Sequence, residues 1–338
     1  MRLLIVAPQQ DKASGNWVSA LRLKAGQEQC GHTVELLSVT LAPDSRFIEQ
    51  VEAFDPDMTL LLHAYRSGKP WLQAFAERPF CVLLTGTDVN QGLDDAQQRP
   101  VIEEVFKRAG LVLHQNPLLA RQLCNSPDLV CNLRELPAGI VLGETPYQLK
   151  EKHKLPQDKP LLLCPAGIRP VKGVLELLHL FDAVAARTQA FHLAFCGPVL
   201  DKAYASDFMA QIKSRSWASY LGTIPSQCMA AAMRQADVVL NNSVNEGLPN
   251  ALLEAAALGV PILARNIPGN AVIVNPGGNG LLYNSKQEFA AHALRLLEDK
   301  DYRRALARPE PKSYSPEREA NALDRLLHQV LPTDKKPE

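Results

Sequence analysis

The sequence predicts an α/β fold of two doubly wound, Rossmann-like domains. Three observations carry this. The chain has 338 residues, which at roughly 150 residues per domain makes two domains. Short runs of Leu, Val and Ile alternate with longer helical stretches, the pattern of βα units on a parallel sheet. The alternation breaks once, in the Pro- and charge-rich stretch "PAGIVLGETPYQLKEKHKLPQDKP", and then restarts. The expected division is a first domain over residues 1–145, a linker over 146–158 and a second domain over 159–314.

In the first domain "RLLIVA", "TVELLSV", "MTLLLHA", "FCVLLTG" and "LVLHQN" read as strands, and "NWVSALRLKAGQEQCG", "VIEEVFKRA" and "PLLARQLC" as helices. In the second, "LLLCPAG", "FHLAFCG", "YLGTI", "VVLNNS" and "PILARN" read as strands. "KGVLELLHLFDAVAAR", "YASDFMAQIKS", "PSQCMAAAMRQA" and "PNALLEAAALG" read as its helices. The strands are apolar throughout rather than alternating, as expected when both sheet faces are covered. A last helix over residues 315–330, "EREANALDRLLHQVL", lies beyond the second sheet and is expected to pack back on the first domain.

Bulk composition excludes some functions. Lys plus Arg and Asp plus Glu both number 36, so no charge excess calls for nucleic acid or a membrane surface. The apolar start "MRLLIVA" is too short for a signal peptide or a membrane helix. Seven cysteines, an odd number without a CxxC pair, fit buried thiols in a reducing compartment. A cytoplasmic protein without a transmembrane segment is expected; oligomeric state is not legible.

In doubly wound sheets, ligands bind beyond the carboxyl ends of strands, near helix N-termini, so residues just after strands carry the chemistry. After the first strand, Ser14-Gly15-Asn16 opens a helix with a flexible turn and free backbone N–H groups, suited to a phosphate; an ordinary βα turn fits the same residues. After "MTLLL" come His63, Arg66 and Lys69, where a satisfied core histidine and solvated cations fit equally. "TGTD" places two hydroxyls and Asp88 at a strand end, as a site or as a cap-and-turn. In "AGIRPVKG", Arg169 and Lys172 flank a helix start, the makings of a diphosphate clamp. "NEGLPNALLEAAALG" places Glu246 before a turn whose Gly247 and Leu248 amides would face an anion. Glu254 follows in an otherwise apolar helix, where a charge needs a partner.

"NEGLPNALLEAAALG" resembles the E-x7-E motif of family 4 glycosyltransferases, which have the GT-B fold: two Rossmann-like doubly wound domains facing a central cleft. "GIRPVKG" resembles that family's diphosphate-binding turn, and "NGLLY" the loop after its donor site. More narrowly, "SGNWVSALR", "HAYRSG", "GTDVN", "NNSVNEG" and "LARNIPGNAVIV" with "GLLYNSKQEF" are similar to the glycosyltransferase 1 domain-containing protein 1 group. "SGN" and "TGTD" also resemble the bacterial selenosugar synthases.

The resemblance implies a retaining, metal-independent transferase that takes a nucleotide-diphosphate sugar, UDP-linked, and passes the sugar to an acceptor that the resemblance does not identify; a first domain without a large apolar or basic patch would suit a small one. Arg169 and Lys172, with the Gly247 and Leu248 amides, would hold the diphosphate. Gly15 and Asn16 would approach it from the first domain. Glu246 would bind hydroxyls of the transferred sugar, and Glu254 the ribose. No cofactor is implied beyond the nucleotide-sugar co-substrate. Two departures stand out. Where many members carry a His in the first domain, this chain offers Asp88 or His63. Where many carry a Glu after the turn beyond the second motif Glu, this chain has Asn270. An inorganic nucleophile as acceptor, as in selenosugar synthesis, and a non-catalytic nucleotide-sugar-binding protein remain alternatives.

Overall fold

A computed structural model describes residues 1–9, 15–124 and 132–331. Ser14 lies outside the described residues. The chain divides into two compact units, Met1–Val141 with Tyr314–Glu338, and Leu142–Ser313.

The first unit is a six-stranded parallel sheet of β1 (Arg2–Pro8), β2 (Thr33–Val39), β3 (Met58–Leu62), β4 (Phe80–Leu83), β5 (Val112–His114) and β6 (Leu133–Glu135), in the order β2-β1-β3-β4-β5-β6. Successive residues of β1 enter different cores. Leu4 and Val6 pack with Phe47, Trp71 and Phe106 on one face; Leu3 and Ile5 pack with Leu23, Leu323 and Leu327 on the other. Two covered faces explain the unbroken apolar run. Leu323 and Leu327 belong to the C-terminal helix Pro316–Val330. A buried ion pair ties that helix to Gly15–Gln29: Arg22 Nε and Nη2 reach Glu319 at 2.7 and 3.0 Å, and Gln115 donates to the same carboxylate at 2.6 Å.

The second unit repeats the plan with β7 (Leu161–Pro165), β8 (His192–Cys196), β9 (Ala218–Tyr220), β10 (Val238–Asn241), β11 (Ile262–Arg265) and β12 (Gly280–Tyr283), in the order β12-β11-β10-β7-β8-β9, again all parallel. Phe181, Phe191, Phe195, Phe208 and Phe289 fill its core, with Phe181 edge-on to Phe289 at 5.1 Å between ring centroids.

Three differences from the expected layout have physical causes. Residues 146–158 are part of the second unit rather than a free linker. They carry a short helix, Leu149–Lys152, whose Leu149 is buried, and the Tyr147 carbonyl accepts from Gln235. β9 runs from Ala218 and ends at Tyr220, the first residue of the expected "YLGTI" run: Gly222 takes φ 74° and turns the chain toward the helix that begins at Ser226. Helices Ser45–Phe54 and Gly68–Phe75, the short strand β6 and the edge strand β12 add to the elements expected.

Each sheet has one place where connections leave in opposite directions from neighbouring strands: between β1 and β3 in the first unit and between β7 and β10 in the second. Such a switch point opens a crevice beyond the carboxyl ends of the strands. No described helix is long and apolar enough to cross a membrane.

Candidate active site

At the switch point of the second unit, the turn after β7 meets the turn after β10. Arg169 is extended, and Pro170–Lys172 form one 3-10 turn. Gly173, at φ 57°, then starts the helix Val174–Ala185. Only glycine fits there. A Cβ would lie 2.6 Å from the Asn242 carbonyl oxygen, and the conformation itself favours glycine. The close approach brings Lys172 across to Glu246, with Nζ 2.5 Å from Oε1 and side-chain exposures of 19% and 11%.

Glu246 Oε1 also accepts from Ser243 Oγ at 2.6 Å and Asn241 Nδ2 at 3.5 Å. Burial opposes its charge. The Lys172 ammonium and the hydrogen bonds from Lys172, Ser243 and Asn241 outweigh that cost and hold the carboxyl below the usual range. Glu246 is therefore a carboxylate at neutral pH, equipped to accept hydrogen bonds rather than to donate a proton.

Behind it stands a network of amides. Asn241 Oδ1 accepts from the Ser243 N–H at 2.9 Å and from Asn270 Nδ2 at 3.3 Å, which turns its own amide nitrogen toward Glu246. Asn270 is fully buried and also donates to the Arg265 carbonyl at 2.9 Å, while its Oδ1 has no hydrogen-bond partner. Asn242 donates to the Gly173 carbonyl at 2.6 Å and accepts from the Tyr283 hydroxyl, locking the two strand-end turns together. Gly269 packs on Glu246 so closely that a Cβ would fall 2.5 Å from the Glu246 carbonyl oxygen.

Two helix starts border this cluster. Neither Val174–Ala185 nor Asn250–Leu258 has a side-chain cap, whereas Asp201, Ser285 and Asp299 cap three other helices of the unit. Uncapped amides and the helix dipole favour an anion there. Gly247 and Leu248 lie just before the second start, Gly247 buried and Leu248 half-buried. Arg169 is half-buried, and its Nε has no hydrogen-bond partner. A buried guanidinium donor without an acceptor is costly, and an incoming phosphate oxygen would supply one. Glu254 is half-buried one turn into the helix. Burial first, then Cys164 and the Glu254 charge, push the Cys196 thiol up, so Glu254 stands within electrostatic reach of the end of β8.

The first unit treats its candidates differently. Asp88 is fully buried, and its carboxylate accepts backbone N–H groups from Ala64 and Thr85 at 3.1 Å and Gly86 at 2.8 Å. It builds the turn and presents nothing to a ligand. His63, at φ 81°, is buried. Its Nδ1 accepts from the Tyr65 and Arg66 amides at 3.2 and 3.1 Å, and its Nε2 lies 3.1 Å from Thr87 Oγ1. Nδ1 must therefore be the unprotonated nitrogen and Nε2 the donor. Burial first, then the Arg66 charge, pull this imidazole below its ordinary pKa against the pull of Asp88, so it is neutral. The catalytic expectations for Asp88 and His63 thus meet two side chains already occupied in folding. Lys69 lies 5.7 Å over the Tyr65 ring. Gly15 and Asn16 form the first turn of the helix that follows β1, at that unit's switch point.

The cluster Asn241, Asn242, Ser243, Asn270 and Tyr283 was not singled out from sequence, apart from Asn270 as a departure. Its one signal was three polar residues, "NNS", closing an apolar strand.

Comparison with known proteins identifies the fold and the relatives of this chain. Residues 147–312 match the family described as glycosyl transferases group 1. Over 330 residues, 94% of each chain, this protein is 26% identical to the glycosyltransferase 1 domain-containing protein 1 of Xenopus tropicalis. Its structure superposes on sucrose-phosphate synthase from Thermosynechococcus elongatus with a TM-score of 0.80 at 16% identity, covering 97% of this chain and 98% of that one. It superposes on Anabaena HepE, solved with UDP and glucose, with a TM-score of 0.77 at 17% identity, covering 97% and 100%. The fold is GT-B, with two Rossmann-like domains.

Proposed function

We propose, from the premise that this chain is a glycosyltransferase whose residues 147–312 make a glycosyl transferases group 1 domain, that its second unit binds a nucleoside-diphosphate sugar and activates it for transfer. The observation that carries this reading is the meeting of Lys172 and Glu246 at 2.5 Å across the β7–β10 switch point, between two uncapped helix starts. A cation and a carboxylate held side by side suit a ligand with a diphosphate next to a polyol.

Each residue then has a role. Arg169 and Lys172, with the Gly247 and Leu248 amides, hold the diphosphate. Glu246, kept ionised, accepts hydrogen bonds from hydroxyls of the transferred sugar. Glu254 takes the ribose. As the glycosidic bond breaks, negative charge grows on the leaving diphosphate, and the two cations and the helix dipoles stabilise it where it develops. In this reading that positive charge does the work of a metal, so a chelator leaves the initial rate of transfer unchanged. The anomeric configuration is retained, as the E-x7-E resemblance implies. UDP is the proposed nucleotide, the one present in the HepE structure. The acceptor is small. Among the described residues of the first unit, the exposed large apolar side chains, Leu21, Leu41 and Val141, lie on separate segments of the sequence.

The test is calorimetry and thermal unfolding with UDP, GDP, uridine and a panel of UDP-sugars, since a ligand that binds the folded state raises stability by mass action. UDP-sugars should stabilise the chain and uridine should do so far less. No response to any nucleoside diphosphate sinks the reading.

A further inference from the structure

Where the C-terminal helix meets the first unit, three side chains of metal-ligating type converge. His32 follows the helix Gly15–Gln29 and precedes β2, and Asp324 and His328 are four residues apart on Pro316–Val330, on one helix face. His32 Nε2 lies 2.7 Å and His328 Nδ1 3.0 Å from the same oxygen, Asp324 Oδ1. The imidazole centroids are 5.6 Å apart, and the three ligand atoms lie within 4.8 Å of one another.

We propose that His32, Asp324 and His328 form a site for a divalent cation of the zinc class that fastens the C-terminal helix to the rest of the first unit. The donor set is two imidazoles and a carboxylate, three protein ligands suited to zinc, with the fourth position of the tetrahedron left to water. With zinc–nitrogen and zinc–oxygen bonds of about 2.0–2.2 Å, neighbouring ligand atoms of a tetrahedral site stand roughly 3.3 Å apart. The observed 2.7 and 3.0 Å contacts reach that by opening a few tenths of an ångström.

The other contacts at the cluster are compatible. His32 Nδ1 is 3.3 Å from the Met1 nitrogen, and His328 Nδ1 is 2.9 Å from the Asp324 carbonyl, a contact the ion would replace. One side is open: the His32 side chain is buried, but Asp324 and His328 are about one-third exposed, which provides an entry path. The pieces joined are far apart in sequence, so an ion here would stabilise the return of the chain to its first unit. This site is independent of the sugar-donor reading.

The experiment uses the full chain without a histidine tag, stripped with a chelator and titrated with Zn²⁺ alone by calorimetry, with thermal unfolding in parallel. The expected result is one Zn²⁺ per chain and a melting temperature that rises with Zn²⁺ concentration. Asp324→Asn and His328→Gln, the latter at a partly exposed side chain that should fold normally, should each bind Zn²⁺ at least about tenfold more weakly. No Zn²⁺ binding to the parent chain, or equal affinity in Asp324→Asn and His328→Gln, overturns the site.

Discussion

Each unit places a carboxylate at a strand-end turn, and the two turns use it in opposite ways. Asp88, after β4, is fully buried and surrounded by backbone N–H groups from its own turn and from the end of β3. Glu246, after β10, keeps a solvent-facing edge and is surrounded by side chains: a lysine, a serine and an asparagine. Backbone donors cannot be exchanged for a ligand without unfolding the turn, whereas side-chain donors can swing. The first arrangement is therefore fixed by its own turn, and the second is free to rearrange, as the proposed donor site requires. Partner type separates the two more sharply than burial does.

The largest expected effect that would break this contrast lies on the Glu246 side. Glu246→Ala should lower sugar transfer by about a thousandfold, the loss typical of a transition-state hydrogen-bonding group. UDP should still bind as well as before or better, because Lys172 is released from its partner. Transfer kinetics and UDP calorimetry on one preparation decide it. Unchanged turnover would remove Glu246 from the chemistry and leave its turn as structural as that of Asp88.

Asp88→Ala comes next, and its readout should be stability. The substitution leaves the Ala64, Thr85 and Gly86 amides without acceptors in a buried place, each costing about 1–3 kcal/mol. With partial relaxation, urea unfolding should show a loss of about 3 kcal/mol, while any folded fraction keeps its UDP affinity. A variant that folds as well as the parent yet cannot transfer sugar would reverse the assignment.

The two turns also differ in how far they could be read from sequence. The Arg/Lys turn and the two glutamates were legible because their residue types are unusual for their positions: cations at a helix start, and a charge inside "ALLEAAALG". "TGTD" looked equally like a site. Its real role depends on Gly86 at φ 102° and on an amide from residue 64, 24 positions away, and no local pattern displays either. The Asn241–Asn270 link spans 29 residues and joins β10 to the turn after β11, so it too exists only once the sheet is assembled. Strands with two covered faces were plain because their residues are mostly apolar, as in the "LLIVA" of β1 and the "LLLC" of β7. The three-residue β6, half-exposed at the sheet edge, carries no such signal.

A smaller effect sharpens what the cations do. Arg169→Ala should weaken UDP by about tenfold to thirtyfold, the equivalent of one charge-assisted hydrogen bond, and leave uridine unaffected. The buried Nε without a partner makes the direction firm: removing it relieves the free protein of an unsatisfied donor, so the loss appears only in the complex. Calorimetry with both ligands measures the difference, and equal weakening of UDP and uridine would mean that Arg169 shapes the pocket rather than the diphosphate contact.

The smallest effect probes the charge on Glu246 itself. Its carboxyl is held below the ordinary value of 4.5 by Lys172, Ser243 and Asn241 acting against burial. A group depressed in the folded state adds stability above its unfolded pKa, and that stability is lost as pH falls through the folded value, here below 4.5. Ser243→Ala deletes the 2.6 Å hydrogen bond to Oε1 and leaves Lys172 and Asn241 in place. Burial then weighs more heavily, the carboxyl rises, and the acid limb of the kcat/KM profile should move to higher pH, with the neutral plateau lowered only a few-fold, at about 1 kcal/mol for the lost bond. In Asp88→Asn the acid limb should stay where it is, since Asp88 serves only the backbone. A profile that shifts for the Asp88 variant and holds still for the Ser243 variant would exchange the roles of the two carboxylates.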